Sequence, residues 1–160
     1  MNGKWLAIFG MHQLIVNGCE DKMRQMYWRK AYEIARGKGK PMLVIGNPKG
    51  RHGCGDVTID ISPTGECPVE FRADVRDLGM FQDKQFGSVF CSHVLEHLPS
   101  VGDVNRALSE INRISEYAVV LFPTPASVIG WIHPDHSLES LKYLRHLETV
   151  PGYGVIEIGG

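Results

Sequence analysis

No C-x-x-C pair links the four cysteines, Cys19, Cys54, Cys67 and Cys91, and their scattered spacing in a chain of 160 residues does not suggest a disulfide scaffold. Four reduced thiols and a cytoplasmic setting are therefore expected. Charge of either sign is not in excess. The net charge is −1 and the isoelectric point about 6.6, so the chain lacks the global basic footprint of a nucleic-acid binder. Long apolar runs are also missing. Residues 5–16 form an apolar stretch of twelve residues, well short of the roughly 20 that span a bilayer. That stretch has no small-residue cleavage site of the kind that ends a signal peptide. Repeats, low-complexity tracts and a linker able to divide two domains are absent, and no glycine loop ends in Gly-Lys-Ser/Thr, which excludes a P-loop. With 43% hydrophobic and 22% charged residues, what remains is an ordinary globular domain with a genuine core.

The charge that is present is unevenly placed. Residues 21–40 carry seven Lys or Arg against Asp21 and Glu33. A solvated helix face accounts for such a run, and a surface that meets anionic lipid or RNA is the sharper alternative. For residues 5–16, a helix docked on the domain is expected. An interfacial anchor, possible because the basic helix follows directly, is the second reading. Either way residues 1–40 read as a helical N-terminal extension.

Helical periodicity over 20–36 (Met23, Met26, Tyr27, Ala31, Ile34, Ala35) ends at Gly37. Short apolar or β-branched runs predict strands at 41–46, 56–61, 69–73, 86–91, 117–122 and 153–158. Residues 101–115 predict a helix, with Ser100 and Asp103 as an N-terminal cap, and residues 138–149 predict another. Alternating strands and helices in the second half imply a parallel α/β sheet. The strand at 117–122 is apolar without alternation, as a sheet covered on both faces requires. The segments 47–55 and 62–68 are too short for the usual crossovers, so one sheet edge has lost its crossover helices or pairs differently.

Two motifs carry chemistry. In the first, Gly46 and Asn47 open the loop after the first strand, and Asp60 closes the second. A glycine there lets a ligand approach the backbone, and an acid at the second strand end is placed to take both hydroxyls of a ribose. The second is Ser92-His93-Val94-Leu95-Glu96-His97-Leu98, followed by Ala107-Leu108-Ser109-Glu110-Ile111-Asn112-Arg113-Ile114. These stretches resemble the fourth-strand motif and following helix of class I S-adenosylmethionine-dependent methyltransferases of the type 11 kind. Ala73-Asp74-Val75-Arg76-Asp77-Leu78, Pro123-Thr124-Pro125 and Trp131-Ile132-His133-Pro134-Asp135-His136 extend the likeness over about residues 41–158.

The resemblance implies a small Rossmann-like, three-layer α/β/α fold over residues 41–160, trimmed at the sheet edges and without the usual seventh strand. It implies S-adenosylmethionine as cofactor and methyl transfer to an oxygen or nitrogen nucleophile. Gly46 and Asn47 would pass the methionine part, Asp60 would hold the ribose beside Ile61, and Asp74 and Val75 would line the adenine pocket. Ser92 and His93 would border the sulfonium side. Two departures stand out. Val44 replaces the acid of the family's glycine loop, with Pro48 and Lys49 intervening, and Phe86-Gly87 replaces its Phe-Asp.

His133 and His136 fall after the fifth strand, where ligands bind in an open α/β sheet, and either could act as general base, with His97 as a third candidate. His93, Glu96 and His97 also spell the H-x-x-E-H of an inverted zinc protease, but they continue an apolar strand. Some methyltransferases hold a divalent ion at this place, and here His93, Glu96, His97 and His133 or His136 would supply the ligands. A hydrogen-bonded, metal-free His97 is preferred, and no metal is assigned. The methyl acceptor is unidentified, and an open pocket implies a large acceptor or closure by a second subunit in a homo-oligomer. The alternative function is a degenerate, non-catalytic domain serving as a binding module, placed at a membrane surface if residues 1–40 bind lipid.

Overall fold

The computed structural model describes residues 3–159, with side chains from residue 8 onward, so Trp5, Leu6 and Ala7 of the apolar run lie outside the described side chains. The chain runs α1 (Gly3–Gly37), β1 (Met42–Ile45), β2 (Val57–Asp60), β3 (Glu70–Arg72), β4 (Ser88–Ser92), a 3-10 turn (Leu95–His97), α2 (Val101–Ile114), β5 (Ala118–Leu121), α3 (Val128–Ile132), α4 (Leu138–His146) and β6 (Val155–Ile158). The strands form one sheet in the order β3-β2-β1-β4-β5-β6. Five are parallel. β6 runs antiparallel to β5, with Ala118 opposite Ile158, which corrects the expectation of a wholly parallel sheet.

Successive side chains of a strand point to opposite faces, and here both faces are buried. Leu43, Ile45, Val89, Cys91 and Val120 meet α2 and α4 on one side. Met42, Val44, Phe90 and Val119 meet Tyr27, Ala31 and Ala35 of α1 on the other. This is the three-layer arrangement expected from the sequence.

Small residues let α1 lie close to β4. The Ser88 hydroxyl donates to the Ala31 carbonyl (2.6 Å), and a Cβ on Gly87 would sit 3.0 Å from Ala35 Cα. Gly87 therefore stands where the family has an acid because a helix backbone passes over it.

β1, β2 and β3 pair in parallel although no helix connects them. The loop 47–55 covers the sheet instead: His52 packs edge-on against Phe90 (4.9 Å between centroids). Cys54 and Cys67 form a disulfide between this loop and the next, so the expectation of four reduced thiols fails for these two. Their partners come from two consecutive loops, a pairing that a search for C-x-x-C does not detect. Cys91 is buried, and Cys19 is exposed.

α1 is one helix across both segments read separately from sequence. Gln13, Val16, Glu20, Arg24, Tyr27, Ala31 and Ala35 are buried at three- and four-residue spacing, one helix face. Ile8, Phe9, Met11, Leu14 and Ile15 are exposed, so the apolar run docks by its Gln13–Val16 edge and not by its apolar bulk. None of the described helices is long and apolar enough to cross a membrane.

The basic run is largely a set of clamps. Lys30 pairs with Glu157 (2.6 Å), Arg36 with Asp56 (2.5 Å), Lys38 with Glu116 (2.9 Å), and Lys40 with Glu116 as well. Hydrogen bonds from Lys40 and Lys38 hold the Glu116 carboxyl down at about 2, against an ordinary 4.5. The folded state then binds fewer protons than the unfolded one between these values, so stability rises with pH across that window. Glu116→Gln should melt below the wild type above pH 4.5, and the gap should close as the pH falls towards 2. Thermal melts of both proteins in a pH series check this. A gap independent of pH would show that the carboxylate charge contributes nothing.

Candidate active site

The sheet order reverses direction between β1 and β4, and a crevice opens there at the carboxyl ends of the strands. Its first wall begins at Gly46. This residue has φ +99°, and a Cβ on it would lie 2.9 Å from Val94 Cγ2 and 3.1 Å from the Ser92 carbonyl oxygen. Only glycine lets the end of β1 lie against the exit of β4. The Asn47 N–H donates to Asp60 Oδ2 (2.9 Å), and the Ser62 N–H to Oδ1 (2.7 Å). Asn47 Nδ2 donates to the Ser62 carbonyl (3.0 Å). Asp60 thus sits at the cavity and at the same time ties the loops after β1 and β2 together.

The second wall follows β4. Ser92 ends the strand, and His93 takes φ +55° with its N–H on the Leu121 carbonyl (2.8 Å). The 3-10 turn then buries Glu96 completely. His93 Nδ1 stands 3.1 Å from Glu96 Oε1. That contact is not in line for a hydrogen bond, and both Glu96 oxygens lack a hydrogen-bond partner. Burial opposes charge on this carboxyl and the imidazoles of His93 and His97 favour it; the balance lies below the ordinary carboxylate value.

Three imidazoles gather beside Glu96. His97 and His136 have ring centroids 4.6 Å apart, His133 and His136 4.7 Å, and His97 and His133 6.4 Å. Residues 38 or so apart in sequence meet because the Ser137 N–H donates to the Glu96 carbonyl (2.8 Å) and Ser140 Oγ to that of Leu98 (2.6 Å). His97 Nδ1 faces the Asp135 carbonyl (3.1 Å), and His136 Nδ1 faces that of Gly130.

The third wall comes from α1 and was missed in the sequence. Asn17, Glu20, Asp21 and Arg24 line the cavity. Glu20 Oε1 accepts from the N–H and the hydroxyl of Thr124 (both 3.0 Å), which fastens α1 to the loop after β5. Arg24 is 7% exposed, and its Nε has no partner. Burial first, then the charge of Arg51, hold its guanidinium below the ordinary value. The i, i+3, i+4, i+7 spacing of these four polar residues was the available signal, but it was submerged in the basic run.

Together these walls enclose a cavity of about 690 Å³. It brings together Gly46, Asn47, Asp60, Ser92, His93, His97, His133 and His136 among the residues singled out from sequence. Ile61, Asp74 and Val75 lie outside it. Ile61 is exposed, Val75 is buried in the core, and Asp74 holds Arg76 through contacts of 2.6–3.1 Å. Arg76 reaches on to Asp103 at the start of α2 (3.1 Å).

A six-stranded sheet with helices on both faces and a polar crevice at its switch point define a Rossmann-like nucleotide-cofactor domain. The methyltransferase domain family matches residues 33–117, just over half of the chain, and the chain belongs to that family. Its cofactor is S-adenosylmethionine. A solved S-adenosylmethionine-dependent methyltransferase from Archaeoglobus fulgidus is 22% identical, with a TM-score of 0.54 over 77% of this chain and 66% of that one. A cyclopropane-fatty-acyl-phospholipid synthase-like protein from Lactobacillus casei is 17% identical, with a TM-score of 0.42 over 63% of this chain and 48% of that one. The chain thus spans under two thirds of the length of each. No curated protein matches it.

The residues present fit the cofactor. The cavity volume falls within the roughly 300–1,000 Å³ of ligand pockets. Gly46 leaves its floor free of a side chain, Asp60 stands at the β2 end, and the Arg24 Nε has no protein partner. Gly46→Ala should cost about 1–3 kcal/mol, because it places a Cβ against Val94 and Ser92 at a φ that L-residues rarely adopt. Urea unfolding measures this. An unchanged midpoint would mean that β1 and β4 can separate at no cost.

Proposed function

We propose that this chain is a methyltransferase that moves a methyl group from S-adenosylmethionine to an oxygen or nitrogen nucleophile by in-line displacement. The observation that carries the reading is the two-sided cavity: Gly46, Asn47 and Asp60 on the β1–β2 side, and His97, His133 and His136 on the other. When bound, the cofactor supplies an electrophilic methyl on a sulfonium, so the protein need contribute little covalent chemistry.

What the chain contributes is placement and dryness. Asp60 Oδ1 and Oδ2 each accept one loop N–H, and each keeps a lone pair for a ribose hydroxyl. The bare backbone at Gly46 admits the methionine part, with Ser92 and His93 bordering it. Arg24 offers Nε–H from the α1 wall to an anionic group, the methionine carboxylate being the one the cofactor carries. A hydroxyl or amine acceptor would lose its proton on the imidazole side, where His97 and His133 are exposed and His136 is half-buried; His133 is the base we assign.

Calorimetric titration of S-adenosylmethionine and S-adenosylhomocysteine into the full chain tests the reading. Micromolar binding is expected. Asp60→Asn should weaken it about tenfold or more, the loss of one charge-assisted hydrogen bond. His133→Ala should leave it near the wild-type value. Binding of neither ligand by folded wild type would overturn the enzyme reading and favour a non-catalytic binding module. A loss in His133→Ala equal to that in Asp60→Asn would place the imidazole in the cofactor half and remove it as the base.

A further inference from the structure

We infer that Glu96, His97 and His136 form a binding site for one divalent transition-metal ion of the zinc class. The site stands on the geometry of these three side chains and does not rest on the cofactor reading above.

The first observation is Glu96 itself. It is 0% exposed, and neither carboxylate oxygen has a hydrogen-bond partner. Buried carboxylates are ordinarily paired, hydrogen-bonded or bound to a metal. His93 stands near Oε1 but out of line, and Arg24 acts on the carboxylate only through its charge.

The second observation is convergence. One Glu96 oxygen, one ring nitrogen of His97 and one of His136 all lie within 4.8 Å of one another. A single ion with bonds of about 2 Å needs its ligand atoms a little closer, which small side-chain rotations supply.

The third observation concerns the rings. Both histidines hold Nδ1 against a backbone carbonyl, of Asp135 and of Gly130. A carbonyl only accepts, so each Nδ1 carries the proton and each Nε2 keeps a lone pair. Metal-binding histidines are oriented in this way, with the far nitrogen donating to a carbonyl or carboxylate. The backbone is set as well. The Ser137 N–H on the Glu96 carbonyl fixes the chain next to His136 against the turn that carries Glu96 and His97.

Two imidazoles and one carboxylate suit zinc or a neighbouring transition ion better than magnesium or calcium, which take oxygen ligands. All three residues line the cavity, so a bound ion would keep a coordination position open towards it.

The test uses the full chain with its disulfide intact, stripped of metal by a chelator and dialysed. Zinc is titrated against a chromophoric competitor in the absence of S-adenosylmethionine, and bound zinc is counted by elemental analysis. One ion per chain is expected. His97→Ala and His136→Ala should each weaken binding on the order of 100-fold. His97 is exposed, so its variant should melt like the wild type and keep the test valid if His136→Ala or Glu96→Gln unfolds. Cys19→Ser, which removes the exposed thiol, should bind as the wild type does. Failure of the wild type to hold zinc overturns the site. So does equal affinity in His97→Ala, or loss of the ion in Cys19→Ser.

Discussion

The missing crossover helices are the constraint to which much of this molecule answers. Parallel strands must be joined by a connection that returns the full length of the sheet, and a helix normally satisfies that connection's backbone along the way. Between β1, β2 and β3 there is no such helix. Loop N–H groups, and that of Met42 at the start of β1, go to carboxylates instead. Asp56 accepts from Met42, Asp60 from Asn47 and Ser62, Glu66 from Lys49 and Gly50, and Glu70 from Thr64 and Gly65. Charge-assisted bonds of this kind are shorter and stronger than neutral ones, and they hold a loop's shape without a packed helix above it. The Cys54–Cys67 bond joins the same two loops covalently. On the next connection arginines take over. Arg113 donates to the Leu78 and Phe81 carbonyls and pairs with Glu110, which itself accepts the Leu78 N–H.

This explains why motif residues serve two purposes. Glu110 and Arg113 sit in the helix segment that carries the family likeness, and their contacts fasten residues 78–83. Asp60, which lines the cavity, is also the knot between two loops. A substitution there disturbs both loops, and Asn, which keeps one acceptor oxygen, disturbs them less than Ala.

Elements defined by local chemistry were readable in the sequence. β1, β4 and β5 are apolar runs closed by glycine or proline, and α2 has a one-sided apolar face capped by Ser100, whose Oγ accepts the Asp103 N–H (3.2 Å). The end-of-strand positions of Gly46 and Asp60 were also readable, because each closes a recognisable strand. What depended on long-range geometry was not. The antiparallel β6 has the same β-branched signature as a parallel strand. The disulfide joins loops whose proximity exists only once β1 and β2 pair. The basic run looked like a solvated face because its partners Asp56, Glu116 and Glu157 lie 20 to 127 residues away in the chain. α1 read as two segments because the apolar run at 5–16 and the helical period at 20–36 have different character; a Cβ at Gly10 or Gly18 within it would meet nothing, so these glycines serve no packing role.

α1 links the fold to the site. Its second half is core, with Ala31 and Ala35 pressed onto β4. Its first half carries Asn17, Glu20, Asp21 and Arg24 across the cavity mouth, anchored by Glu20 on Thr124. The family match starts at residue 33, so this wall lies outside the matched segment. A rigid helix anchored at both places sets the distance between the Arg24 guanidinium and the buried Glu96 carboxylate opposite. The α1 wall thus offers Arg24 beside Glu20 and Asp21, and the far wall offers the Glu96 carboxylate among the imidazoles of His97, His133 and His136. A cavity lined by charges of both signs favours one orientation of a polar molecule bound in it.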